Sequence, residues 1–324
     1  MTDPSPTPLD AWSPPACGLP RIGILVPVWM NYQWIAPIME LSLDRFWPDH
    51  PEVLYTGLDK DSPNNPDGII VELPGSVDRS NWTAVLLLGV REARRRGFEF
   101  LYLLAEEHIP VSPCHREHLN QTLPRFMQTL PAVYISLMAW DNRRYTSKSP
   151  VLPAAQFHLK HLVAPGDPRF HLHPALWRTE VLEACCQLAL EDTSQNGSAW
   201  HFEKANDRAG MLHPPGWDKQ CYQICASAMS LHPPRGLNRL TAKLEYFLYQ
   251  RLQGLYPLIP GRMLRKAYAA VLEFDKVFCN GAYPMFFSGI MSKGQLNEHF
   301  TDFMRRHDPE WLEEILNRRP PEIT

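Results

Sequence analysis

Residues 98–108 read FEFLYLLAEEH: an apolar run that stops abruptly at two adjacent carboxylates and an imidazole. Phe100 to Ala105 shows no polar alternation, and a strand with one wet face would alternate. Continuous apolar character is the mark of a strand covered on both faces, as in the middle of a parallel α/β sheet. Open α/β sheets place their ligands outside the carboxyl ends of the strands. The charge of Glu106, Glu107 and His108 therefore falls where a site is expected.

The flanking sequence supplies the rest of such a sheet. RIGILVPV (Arg21 to Val28) is a short β-branched run that predicts the first strand, with Trp29 to Gln33 as the loop at its carboxyl end. An amphipathic helix is predicted over Trp34 to Phe46, closed by Trp47-Pro48. Strands are expected at Val53 to Thr56 and Ile69 to Leu73. A helix follows from Asn81 to Arg96, with Ser80 as its cap and Gly97 as its stop. Beyond the opening strand, a helix is predicted over Cys114 to Met127 and a strand over Ala132 to Ala139. The pattern then weakens into loop and returns as helix at Pro174 to Leu190 and at Asn238 to Phe274. Strand and helix in alternation predict an α/β fold with a mostly parallel central sheet flanked by helices.

Composition narrows the function classes. The chain has 324 residues, 44% hydrophobic and 21% charged, enough for a substantial core. Its net charge of -3 provides no basic field for holding phosphates along a groove, so nucleic acid is not an expected partner. Thirty-two prolines, roughly twice the usual share of about 5%, predict long ordered loops, above all between Pro150 and Pro234. Seven irregularly spaced cysteines suit reduced thiols in the cytoplasm. Cys221 with Cys225, and Cys114-His115 with His118, lack the second pair that a zinc site needs. Residues 1–20 have neither a basic start nor an apolar run and read as a disordered leader. No apolar stretch approaches the ~18 residues of a membrane span.

The order of these features resembles the GT-A type of nucleotide-sugar-dependent glycosyltransferase, in particular small bacterial enzymes of polysaccharide gene clusters. Four segments carry the resemblance. RIGILVPVWMNY (21–32) is similar to that family's nucleotide-binding opening. The helix starting Ser80-Asn81-Trp82 and leading into GFEFLYLLAEEH resembles a Trp-led helix followed by a strand and an acidic pair of the Asp-x-Asp kind. FHLHPALWR (170–178) resembles the segment before the acceptor site, and SAWHFE (198–203) the Trp-x-x-Glu element. The match runs from about Arg21 to Asp207. It implies a GT-A-like, Rossmann-like catalytic domain over 21–235 and a helical C-terminal extension over 236–324 packed on it.

The resemblance also implies roles. Glu203 becomes the general base that deprotonates an acceptor hydroxyl, giving inverting transfer. Position 27 (Pro27), Trp29, Tyr32, Asp59 and Glu106 become contacts of the nucleoside-diphosphate sugar. Glu107 and His108 become ligands of a manganese or magnesium ion, with Glu-Glu-His standing where the family has two aspartates. Trp200, His173 and Trp177 become the wall of a glycan or lipid-linked acceptor site. His171 and His173 are expected to alternate on a strand, with no third metal ligand evident. The basic and apolar residues between Leu240 and Leu272 suit either packing on the catalytic domain or peripheral contact with the inner membrane face. The altered acidic motif leaves a rival reading, a non-catalytic relative that binds glycan or a partner transferase. A nucleotidyltransferase is disfavoured because VPVWMNYQW contains neither glycine nor lysine.

Overall fold

A computed structural model describes residues 18–62, 65–137, 151–154, 157–162, 169–192, 197–208, 216–225, 278–279, 282–286, 289–292 and 295–318. Nine strands form one sheet: β1 (Ile22–Pro27), β2 (Val53–Thr56), β3 (Ile69–Val71), β4 (Phe100–Leu103), β5 (Tyr134–Ser136), β6 (Val151–Ala154), β7 (Phe157–His161), β8 (Ala175–Arg178) and β9 (Cys221–Cys225). Their order is β3-β2-β1-β4-β8-β5-β9-β7-β6. The first four neighbours are parallel. β8 then enters antiparallel between β4 and β5, β9 is parallel to β5, and β7 and β6 continue antiparallel at the edge.

The opening strand behaves as its composition requires. Phe100 and Tyr102 enter the core on one face of the sheet, with Ile24 and Val26 of β1. Leu101 and Leu103 enter the core on the other face, with Leu25. The first core is covered by α1 (Ala36–Phe46) and α3 (Leu123–Thr129), the second by α2 (Trp82–Arg95), α4 (Thr179–Glu191) and α5 (Ala199–Arg208). This is an α/β fold with helices on both faces of a mixed, mostly same-direction sheet.

Several elements differ from their sequence-based bounds. The expected helix at 174–190 begins as strand β8, because an apolar run as short as ALW suits either period and the open edge of β4 takes it up. The cap of α2 is Asn81, whose side chain accepts from the Ala84 amide at 3.0 Å, while the Ser80 hydroxyl donates to Asp78. The helix after β4 starts with a π turn at His118–Thr122 ahead of α3. Residues 151–161, expected as loop, include the edge hairpin β6-β7. The helices expected over 238–274 and the leader up to residue 17 lie outside the described residues.

The described C-terminal part contains two short hairpins, β10 (Phe278–Cys279) with β11 (Met285–Phe286) and β12 (Met291–Ser292) with β13 (Gln295–Leu296), then α6 (Glu298–His307) and α7 (Pro309–Arg318). Tyr283, Phe286, Phe300 and Trp311 enter the same core as α1. Trp311 meets Phe46 edge-on at 6.1 Å, and Arg45 pairs with Asp308 at 3.1 Å. No helix among the described residues is long and apolar enough to cross a membrane.

Candidate active site

A cavity of about 340 Å³ opens at the carboxyl ends of β1 and β4. Its lining draws on four segments: Trp29 and Tyr32 after β1, Ala105 to His108 after β4, Leu172 and His173 before β8, and Ser198 to Trp200 with Glu203 at the start of α5; Trp82 of α2 completes it. The strand order brings them together, since β1 and β4 are neighbours and β8 pairs with β4.

The backbone prepares the β1 exit. The Val28 amide donates to Thr56 O at 2.8 Å, extending the pairing of β1 with β2. Gly57 turns away at φ 93°, where a Cβ would lie 2.1 Å from the Val28 carbonyl oxygen. Only glycine fits this approach. Trp29 follows directly, and its amide donates to Glu106 Oε1 at 3.1 Å.

The two carboxylates after β4 have different surroundings. Glu106 is buried, with 6% of its surface exposed. Burial raises its pKa to about 7, helped by the neighbouring Glu107 charge and opposed by the backbone hydrogen bonds it accepts. Near neutral pH it spends much of its time as the neutral acid, a poor metal ligand. Glu107 is half-buried and rests against Gly289, where a Cβ would approach its side chain to 3.1 Å; the Ile290 amide donates to its carbonyl oxygen at 2.8 Å. Beneath them Tyr283 donates its hydroxyl to His108 O at 2.9 Å. The C-terminal segment thus braces the acidic loop, which no local signal around residues 283–290 announces.

Beside the acidic loop lies the loop before β8. Phe170 adopts φ 54°, a left-handed conformation that costs a bulky residue about 1–3 kcal/mol. Its ring is held between Tyr134 at 6.0 Å and Trp177 at 5.7 Å. The bend turns His171, Leu172 and His173 over α5. These histidines lie in a loop, not on the expected strand. The Leu172 amide donates to Glu203 Oε1 at 2.9 Å, and His171 Nδ1 stands 3.7 Å from the same oxygen. The two imidazoles stack at 6.0 Å, and His173 also meets His108 edge-on at 5.6 Å. Burial, then the neighbouring histidines, push the His173 pKa down to about 3, so its ring is neutral.

Trp29, Tyr32, Glu106, Glu107, His108, His173, Trp200 and Glu203 are therefore brought to one cavity. Three expected residues are not. Trp177 is fully buried in the core against Tyr134 and Phe202, so it cannot be an acceptor wall. Asp59 is exposed and shapes its own turn, accepting from the Asp61 amide through its side chain and from the Ser62 amide through its carbonyl. Pro27 is buried in β1 opposite Thr56.

Among the described residues, one set of three metal-ligating side chains converges: His171, His173 and Glu203, whose ligand atoms all lie within 4.8 Å of one another. Glu107 and His108, the expected manganese or magnesium ligands, are not part of this set, and Glu106 beside them accepts from the Trp29 amide. The sequence offered no third ligand for the two histidines because Glu203 lies 30 residues further along the chain. Trp82, Leu172, Ser198 and Ala199 line the cavity without having been assigned to it; Trp82 reads locally as part of the apolar face of α2.

No protein-family model matches the chain, and no curated protein matches it. Among solved structures it is similar to TarS residues 1–349 of S. aureus (12% identity, TM-score 0.36), covering 57% of this chain and 55% of that one. The chain thus spans about half the length of that structure. It is also similar to glucosyl-3-phosphoglycerate synthase of Mycobacterium tuberculosis in complex with Mn2+ and uridine-diphosphate-glucose (13% identity, TM-score 0.35, covering 73% and 79%). A third is 2-C-methyl-D-erythritol 4-phosphate cytidylyltransferase of Thermus thermophilus (12% identity, TM-score 0.34, covering 68% and 96%). The α/β architecture of this chain rests on its own strand order and core.

Proposed function

We propose that the chain is a GT-A-like glycosyltransferase that moves a sugar from a nucleoside diphosphate to an acceptor hydroxyl in surface-polysaccharide or glycoconjugate assembly. One observation carries the reading: a single cavity at the strand ends joins an acidic loop, exposed and half-buried aromatic rings, and the carboxylate of Glu203. Trp29 and Tyr32 would face the nucleotide. Glu106, neutral for much of the time near pH 7, would donate a hydrogen bond to the diphosphate instead of repelling it. Glu203 would serve as the base. The acceptor oxygen attacks the anomeric carbon, Glu203 takes its proton, and the bond to the diphosphate breaks with its electron pair leaving on the nucleotide. Leu172 holds Glu203 through Oε1, and Oε2 would receive the proton. Trp200, with 73% of its surface exposed at the cavity rim, would stack on the acceptor sugar. The same reading places the protein in the cytoplasm, with a lipid-linked acceptor bringing it to the inner membrane face.

Thermal shift with a panel of nucleoside diphosphates and their sugars, with and without manganese, tests the reading, since a ligand of the native state must raise the melting temperature. At least one uridine, guanosine or thymidine nucleotide is expected to stabilise the chain at millimolar concentration. No shift across the panel would overturn the donor site.

A further inference from the structure

We infer that His171, His173 and Glu203 form a binding site for one transition-metal dication of the zinc class, separate from the acidic loop after β4. The first ground is convergence. Two imidazoles and a carboxylate bring their ligand atoms within 4.8 Å of one another. A tetrahedral zinc site with bonds of about 2.1 Å spaces its ligand atoms about 3.4 Å apart, so small side-chain rotations close the set.

The second ground is how the site is held. Phe170 keeps a left-handed backbone immediately before His171, fixed by its buried ring. That ring packs against Tyr134 at 6.0 Å and Trp177 at 5.7 Å. The amide between the two histidines, that of Leu172, grips Glu203 Oε1. Groups behind the ligands that fix their orientation are typical of built metal sites, and backbone strain that the surroundings maintain collects where function needs it. An ordinary surface histidine pair needs none of this.

The third ground is access and chemistry. The His171 and Glu203 side chains retain 26% and 16% exposure, and His173 and Glu203 line the cavity, so a cation can reach the set. Two imidazoles with one carboxylate select zinc, cobalt, nickel, iron or manganese over magnesium and calcium, which take oxygen ligands. The cation and the acceptor proton draw on the same carboxylate, so zinc would compete with the base role proposed for Glu203. The site itself stands whether or not the chain transfers sugar.

The test uses the full chain freed of metal, with cobalt as the absorbing probe and zinc as the competitor, and no nucleotide present. One cobalt per chain is expected, with visible d–d bands and displacement by one equivalent of zinc. His171→Ala and His173→Ala should each weaken binding by about 100-fold or more, given that even supporting residues cost 10- to 100-fold. Circular dichroism checks their folding, and Glu203→Gln, a change of one atom, tests the carboxylate if a histidine variant unfolds. Glu107→Ala should bind cobalt like the parent. No stoichiometric binding, unaltered binding in the histidine and Glu203→Gln variants, or loss confined to Glu107→Ala would each overturn the site. Failure of nucleotide stabilisation alone would reject the transferase reading and leave this one standing.

Discussion

The Trp29 amide donates to Glu106 Oε1 at 3.1 Å, so one hydrogen bond inside the cavity ties the exit of β1 to the end of β4. The acceptor is a carboxyl that burial holds near pKa 7 instead of its ordinary 4.5.

That shift fixes a pH dependence. Between pH 4.5 and 7 the unfolded chain has released a proton that the folded chain retains, so stability falls as pH rises through this window and the cost is complete above it. The full effect is at most ~3 kcal/mol, from about 1.4 kcal/mol per pK unit. Glu106→Gln keeps an acceptor for Trp29 and removes the titration. Its melting temperature is expected to exceed that of the parent by several degrees at pH 8 and to match it at pH 4.5. Parallel melting curves for the two proteins across pH 4.5–8 would show that Glu106 is not the titrating group.

Glu203→Gln should bind donor nucleotide like the parent and lose roughly 100- to 10,000-fold in transfer rate, since the amide keeps the shape but accepts no proton. Transfer within about threefold of the parent, far short of that loss, excludes the base role. Joint loss of donor affinity and transfer would mark Glu203 as a support for the 171–173 loop.

Two tryptophans should separate cleanly. Trp200→Ala removes an exposed ring and is expected to leave the melting temperature within a degree or two while weakening acceptor binding. Trp177→Ala empties a fully buried position and should cost about 3–5 kcal/mol. Chemical denaturation of both variants measures the contrast; equal stabilities would contradict the burial of Trp177.

Gly289→Ala should destabilise by about 1–2 kcal/mol, because an L residue at φ 71° strains the backbone. The added methyl would also push on the Glu107 side chain and should reduce nucleotide stabilisation. Unchanged stability and unchanged nucleotide response together would detach the C-terminal segment from the site.

The sequence by itself determined the first five strands of the sheet and the end of them at which the cavity opens. FLYLLA is apolar on both faces, so it had to be central, and Phe100 and Leu101 enter opposite cores. The acidic exit of that strand, the Trp29–Tyr32 exit of β1 and the Trp200-x-x-Glu203 turn were readable because each is a local pattern: a run, a break or a helical spacing. The tertiary structure alone decided that ALWR becomes a strand, that Trp177 is core while Trp200 is rim, that Asn81 caps α2, and that Tyr283 and Gly289 brace the acidic loop. It alone brought Glu203 to His171 and His173. Periodicity reports which face of an element is buried, over a few residues. Which distant side chains meet depends on strand order, and here on β8 entering against the direction of its neighbours and carrying the histidine loop to the end of β4.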